Sequence, residues 1–256
     1  MYSVEKELYK QLCKLRDEYG VQGIKSEFES EGASFRDLMR LRRITSKAEV
    51  DLFVKIGGVE ALRDIKDALE IGVDGLIAPM VESKFGAKKF SDSLQKVYGS
   101  HHVHSTLNIE TKTAVDQLES ILKFSSERFQ NITLGRTDLS SSFFDKDINP
   151  DCDFMFNLIE GIAPKVAEHN LTFTVGGSVS AHTLNRIESG FDILKDCVHK
   201  IETRKVILSM ETVFDKKDAI KQALRFEELY ILSKKEFSDV NIGMDIARLT
   251  ELQRRI

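Results

Sequence analysis

Residues 72–83 read Gly72-Val73-Asp74-Gly75-Leu76-Ile77-Ala78-Pro79-Met80-Val81-Glu82-Ser83. Gly72 stands where the C-terminal cap of a helix over 59–71 belongs, since glycine adopts the left-handed cap without strain. The run Gly75–Met80 is short, apolar and uncharged, like a strand buried on both faces. A helical period follows from about 83 to 98. Helix, buried strand and helix in succession imply a parallel sheet, whose neighbouring strands need right-handed crossovers.

The same alternation extends outward in both directions. Upstream lie an amphipathic helix over 5–18 with Leu8, Leu12 and Leu15 on one face, a strand over 23–28, a helix near 34–46 and a strand over 51–56. Downstream come a strand over 103–109, a helix over 112–124, a strand at 132–134 and a helix over 152–169 after Asn149-Pro150. A strand over 171–175 ends in Gly176-Gly177, and a helix starts at Ser180 or Ala181. Beyond Phe191 the reading is a strand within 192–200, then helices near 203–210, 215–235 and 243–255. An open doubly wound sheet and a closed barrel both fit this order. No GxGxxG follows the first strand, which counts against a dinucleotide-binding fold.

The 256 residues carry a formal net charge of -4, with 41% hydrophobic and 30% charged residues, as a globular chain with a core of its own does. That balance argues against a nucleic-acid surface. Leu38-Met39-Arg40-Leu41-Arg42-Arg43 is then the solvated face of a helix. Cys13, Cys152 and Cys197 are odd in number and far apart, which suggests reduced thiols in a cytoplasmic protein. No run approaches the roughly 18 apolar residues of a membrane span, and the charged N-terminus has no signal-type stretch.

In a barrel, working residues sit where strands run out into the following loops. The first strand contributes Lys25, Glu27, Glu29 and Glu31, alternating onto one face. The second ends in Lys55-Ile56-Gly57-Gly58, the third in Ala78-Pro79-Met80, and the fourth in Asn108-Ile109-Glu110-Thr111. The fifth ends in Gly135-Arg136-Thr137-Asp138 and the sixth in Gly176-Gly177-Ser178. Glu110 and Asp138 close consecutive strands, about 4.8 Å apart. Two carboxylates plus waters form the usual shell of Mg2+ or Mn2+. Each acid alone also suits the first turn of a helix, where the dipole favours negative charge. Gly176-Gly177 suits either a tight turn or an anion cradle of backbone N–H groups. His101-His102-Val103-His104 opens the fourth strand, which Glu110 closes. The histidines therefore belong at the opposite end of a barrel from the two acids.

VDGLIAPMVES (73–83), NIETKTAV (108–115), LGRTDLSSS (134–142) and, more weakly, FTVGGSVSAHTLNRIESG (173–190) together resemble the HpcH/HpaI aldolase and citrate lyase beta-subunit-like family. The resemblance spans roughly residues 50–190, and its specific part is the IET and GxxDLS pair. It implies a (β/α)8 TIM barrel, with residues 1–256 as a single domain and an extra N-terminal helix. It implies a divalent metal, Mg2+ or Mn2+, on Glu110 and Asp138. It further implies a lyase that makes or breaks a C–C bond of a small 2-oxo acid through an enolate. The substrate-binding set is then Pro79, Gly135, Arg136, Thr137, Gly176 and Gly177. The family's shared final helix implies a homo-oligomer, and Ile242, Ile246, Leu249 and Leu252 fall close to one helical face.

Two departures mark this chain. Lys55 stands where the aldolases have an arginine; it keeps the charge and loses the two-pronged donor. The Asp/His pair for proton transfer is missing, and Glu27-Phe28-Glu29-Ser30-Glu31-Gly32 supplies only glutamates. Glu27 and Glu29 are therefore the candidate bases. Arg136 occupies a position where proline is common, to read a second anionic group or to pair with a rim glutamate. Two alternatives to the lyase are the same metal–enolate site working on an acyl-CoA or ester, and a non-catalytic barrel subunit.

Overall fold

The computed structural model describes residues 3–255, and its eight strands close into one barrel in sequence order. Helix α1 (Ser3–Glu18) buries Leu8, Leu12 and Leu15 and leads into β1 (Val21–Glu27). Then follow α2 (Phe35–Ala48), β2 (Leu52–Lys55), α3 (Leu62–Ile71), β3 (Gly75–Ala78), α4 (Lys84–Tyr98) and β4 (His104–Ile109). Short helices α5 (Lys112–Asp116) and α6 (Leu118–Ser125) precede β5 (Asn131–Gly135). Helices α7 (Arg136–Ser141) and α8 (Asp153–Glu168) precede β6 (Thr172–Gly176), and α9 (Ala181–Gly190) and α10 (Asp192–Cys197) precede β7 (Lys200–Glu202). The barrel ends with β8 (Val206–Ser209), followed by α11 (Met210–Asp215) and α12 (Ala219–Gln253).

Local chemistry sets many of these boundaries. Ser34 and Asp37 form a reciprocal capping box at the start of α2, satisfying two otherwise orphaned amides. Gly72 ends α3 in the left-handed region, φ 72°, in the role its position in the sequence suggests. The strands β2 and β3 are buried at every position, so they show no alternation. The main core lies between the outer face of the barrel and the helices. Inside the barrel, Phe53, Ile77 and Ile207 form a small separate cluster. A Cβ on Gly75 or Gly23 would come within 2.3 Å or 2.5 Å of the Phe53 ring, so both positions need glycine.

Three expectations for the C-terminal third are corrected. No helix forms over 203–210, and the sheet is not wholly parallel. Strand β8 runs antiparallel to both β7 and β1. Only Thr203-Arg204-Lys205 separates β7 from β8, far fewer residues than a parallel crossover requires, so the chain reverses in a hairpin. Thr203 N donates to Val206 O at 2.9 Å across that turn. The turn therefore stands at the same rim as the ends of β1 to β7. In addition, the two helices expected over 215–235 and 243–255 are one continuous α12. Its first half is anchored by Phe226, Leu229 and Tyr230, and every described residue from Ser238 on is exposed. Among the described residues no helix is long and apolar enough to cross a membrane.

Candidate active site

The ends of β1 through β7 surround a cavity of about 540 Å³. Carboxylates from Glu27, Glu29, Glu110, Asp138, Glu202 and Glu227 line it, against the cations Lys25, Lys55 and Arg204. Such an excess of negative groups around partly buried space suits a cation.

Glu110 is the best-anchored of these acids. Met80 N donates to its Oε1 at 2.9 Å, and Asn108 Nδ2 donates to its Oε2 at 3.0 Å. Lys55 Nζ lies 3.3 Å from Oε1. Burial pushes the Glu110 carboxyl up, against the pull of the Lys55 ammonium and the two N–H donors, and the Asp138 charge adds to the rise. Gly135 makes room for it, since a Cβ there would sit 2.7 Å from Glu110 Oε2. Met80 holds its amide in place from the left-handed region, φ 50°, a conformation uncommon outside glycine and typical of functional loops. Asp138 is exposed in the first turn of α7, and its carboxylate carries no hydrogen bond or ion pair among the described residues.

Lys55 also reaches Glu29 Oε2 at 2.9 Å. Burial works to discharge this lysine, but Glu110 and Glu29 outweigh it, and the net shift is upward. The ammonium is therefore held charged beside the carboxylates. A second lysine repeats the arrangement on the other side of β1. Lys25 Nζ lies 2.8 Å from Glu202 Oε1 and 3.5 Å from Glu27 Oε1. Burial opposes its charge, yet Glu202 and Glu27 raise it well above the ordinary lysine value. Glu27 also accepts a hydrogen bond from Ser30 Oγ; burial alone would raise its pKa, but Lys25 and Ser30 bring it below the usual glutamate value.

Not every residue singled out from the sequence faces this cavity. Glu31 leaves it, pairing with Lys205 and with Arg204 at 3.1 Å. Pro79 is buried and does not line the space; its neighbour Met80 does. The Arg136 side chain is a correction. It is fully buried and neither faces the cavity nor pairs with a rim glutamate. It donates to Gly176 O at 3.2 Å, Gly177 O at 2.7 Å, Pro150 O at 3.0 Å and Asp151 Oδ1 at 2.8 Å. Burial lowers its pKa and Asp151 partly restores it. Gly176 lies under Glu202, whose Cγ is 2.6 Å from where a Cβ would be. Gly177 faces the start of α7, and a Cβ on it would lie 2.5 Å from Thr137 N and 2.7 Å from Arg136 N. Thr137 and Ser178 share a hydroxyl hydrogen bond of 3.0 Å above them.

Two contributors, Asn108 and Lys25, have no role in the sequence reading. Asn108 was visible at a strand end without a role, and its Oδ1 is buried with no hydrogen-bond partner. Lys25 stands on the strand face, and its partner Glu202 ends β7 at 200–202, beyond the strand expected within 192–200, where α10 forms instead. His104, at the far end of β4, borders a second, much smaller cavity with Lys200 and Asn131. Burial pushes its imidazole down to about 4.

Among the described residues, no group of three or more His, Cys, Asp or Glu side chains is gathered as a metal cluster. The donor set that the cavity offers is a pair. Glu110 and Asp138 line one space, one of them uncommitted, within a surplus of carboxylate charge. That set fits a hard divalent cation completed by water and substrate oxygens.

Known proteins agree with this architecture. The family model for HpcH/HpaI aldolase/citrate lyase matches residues 36–151, which include Lys55, Glu110 and Asp138. A solved HpcH/HpaI aldolase/citrate lyase family protein from Burkholderia cenocepacia J2315 is 13% identical, with a TM-score of 0.61 over 86% of this chain and 89% of that one. The citrate synthase SbnG is 16% identical, with a TM-score of 0.59 over 92% and 90%. RipC from Yersinia pestis is 14% identical, with a TM-score of 0.53 over 80% and 87%. At such identities the structural likeness speaks for the fold alone. No curated protein matches the sequence. The family model covers the ends of β2 to β5, which stand on a closed barrel, so over residues 36–151 the chain resembles the HpcH/HpaI aldolase/citrate lyase family.

Proposed function

We propose that the chain is a divalent-metal-dependent carbon–carbon lyase or aldolase acting on a small 2-oxo acid. The observation that carries this reading is Lys55, which stands between Glu29 and Glu110 in the cavity that Asp138 also lines. Glu110 and Asp138 would hold Mg2+ or Mn2+, and the bound cation supplies Lewis acidity toward the carboxylate and carbonyl oxygens of the substrate.

The remaining roles fall to the chain itself. The amides of Arg136 and Thr137, left open because Gly177 has no side chain, receive the substrate carboxylate. The Lys55 ammonium stabilises negative charge as it develops on the 2-oxo oxygen. Glu29 exchanges the proton on the adjacent carbon. Glu27 is a weaker candidate for that task, since Lys25 and Ser30 engage both of its oxygens. The contact with Lys55 Nζ at 2.9 Å positions the Glu29 carboxylate in the cavity.

Pyruvate in D2O tests the reading without any second substrate. The protein loaded with Mg2+ or Mn2+ should exchange the methyl protons for deuterium, followed by proton NMR. Lys55→Ala should slow exchange by about 100-fold, and Lys55→Arg should retain more because the charge is kept. A metal-loaded protein that binds pyruvate and shows no exchange refutes the proposal.

A further inference from the structure

Cleaving an aldol needs two separate proton transfers. One is at the carbon beside the 2-oxo group; the other is at the hydroxyl oxygen of the fragment that leaves. Glu29 on Lys55 answers the first in the reading above. The second needs another group, and among the described residues no histidine lines the cavity.

The cavity holds two lysine-centred groups of acids. Lys55 binds Glu29 and Glu110, on the side of the proposed cation. Lys25 binds Glu27 and Glu202, on the side of β7. Three of the acids lining the cavity are more than nine-tenths buried: Glu27, Glu110 and Glu202. Glu27 spends one oxygen on Lys25 and the other on Ser30. Glu110 spends one on Met80 and the other on Asn108. Glu202 spends Oε1 on Lys25 at 2.8 Å, and its Oε2 has no partner among the described residues. Its position is set from both sides, by the Lys25 ammonium and by the bare Gly176 backbone, whose missing Cβ would lie 2.8 Å from Glu202 Oε1. Glu202 lines this cavity and also the small one deeper in the barrel, and a cavity-lining carboxylate tied by one oxygen with the other unpartnered is shaped for proton transfer. Asn108 Oδ1, buried and unpartnered in the same lining, marks the space as built for a polar ligand.

We infer that Glu202 is the catalytic base at the hydroxyl of the departing fragment, with Lys25 as its positioning residue. This rests on the lyase reading. In the cleavage direction Glu202 Oε2 takes the hydroxyl proton and the O–H electron pair forms the new carbonyl. The C–C bond breaks, and its electrons become the C=C bond of the 2-oxo acid's enolate while the 2-oxo oxygen takes the charge beside Lys55. In the condensation direction the protonated Glu202 returns that proton to the aldehyde oxygen.

The assignment predicts that two activities separate. The full-length protein with Mg2+ or Mn2+ is given pyruvate in D2O, and separately 4-hydroxy-2-oxopentanoate, whose cleavage yields pyruvate and acetaldehyde. Glu202→Gln should cut cleavage by at least about 100-fold while methyl exchange and pyruvate affinity by calorimetry stay within about threefold of wild type. Glu29→Gln should slow both. Glu202→Asp keeps the charge one methylene short; it should cleave about tenfold more slowly with exchange intact, and it decides the matter if the glutamine variant does not fold. Cleavage within threefold of wild type in a folded Glu202→Gln or Glu202→Asp overturns the inference, as does equal loss of cleavage and exchange. In each of these cases wild-type exchange leaves the lyase reading standing. Absence of exchange in the wild type removes both.

Discussion

Glu110 and Asp138 are close neighbours in the site and opposites in environment. Glu110 is 2% exposed and held by two N–H donors and a lysine, whereas Asp138 is exposed and holds nothing. Their replacement should therefore separate binding from stability. On the proposed metal site, Asp138→Ala would remove a ligand and break no side-chain hydrogen bond or ion pair among the described residues, so Mg2+ or Mn2+ affinity should fall by at least about 100-fold with folding stability changed by less than about 0.5 kcal/mol. Glu110→Ala should lose the same affinity and also cost about 2 kcal/mol, because the Asn108 amide and the Lys55 ammonium lose a buried partner. Calorimetry with the metal and urea titration read the two effects. Wild-type affinity in either variant contradicts the ligand assignment.

At the level of elements, Arg136 replaces contact with substrate by contact with loops. It stands at the first position of α7 and ties the end of β6 to the loop before α8, through Gly176 O, Gly177 O, Pro150 O and Asp151. Thr183 of α9 joins the same group by accepting from Arg136 at 3.3 Å and donating to Asp151 at 3.0 Å. A guanidinium suits this work because its planar fork serves several acceptors at once. Arg136→Met keeps most of the volume and strands the carbonyls and Asp151, so it should destabilise the fold by about 3 kcal/mol in urea. A loss below about 1 kcal/mol means that water replaces the guanidinium easily and the clamp is unimportant. The β7–β8 hairpin is the other decisive element. Its turn carries Thr203 and Arg204 to the cavity and returns Lys205 to Glu31, which holds that glutamate, in the turn after β1, away from the site.

For the whole molecule, α12 poses the question of assembly. Its anchored part reaches Phe237, whose ring packs against the Arg40 guanidinium, and every described residue beyond is exposed. Ile242, Ile246 and Leu249 are 54%, 57% and 56% exposed along that final part, an apolar stripe with no partner among the described residues. We expect a homo-oligomer in which this half of α12 packs on a neighbouring copy. The full-length protein should sediment as a dimer or larger, and deletion of residues 241–256 should yield monomer or aggregate. A full-length monomer at micromolar concentration contradicts the expectation. Gly243 inside α12 costs about 1 kcal/mol relative to alanine, a cost that packing against a second copy would offset.

The local pattern of residues was enough for the alternation of strand and helix through β6, the C-terminal cap of α3, and the strand ends and following turns that carry Lys55, Glu110 and Asp138. Those features depend on neighbours within a few positions, through periodicity and caps. The hairpin at the end of the barrel was legible in principle, because the three residues between two apolar runs exclude a crossover; the short runs themselves hid it. Partnerships across the barrel were not legible. Lys25 and Glu202 are 177 positions apart, and Lys205 and Glu31 are 174 apart. The sequence placed a row of charges on the β1 face, and electrostatics demanded partners for them. Which glutamate would be neutralised, which would keep a free oxygen, and whether Arg136 would face ligand or loop were decided only when the strands closed. Closure alone sets which side chains from distant strands share the same few ångströms of low-dielectric space.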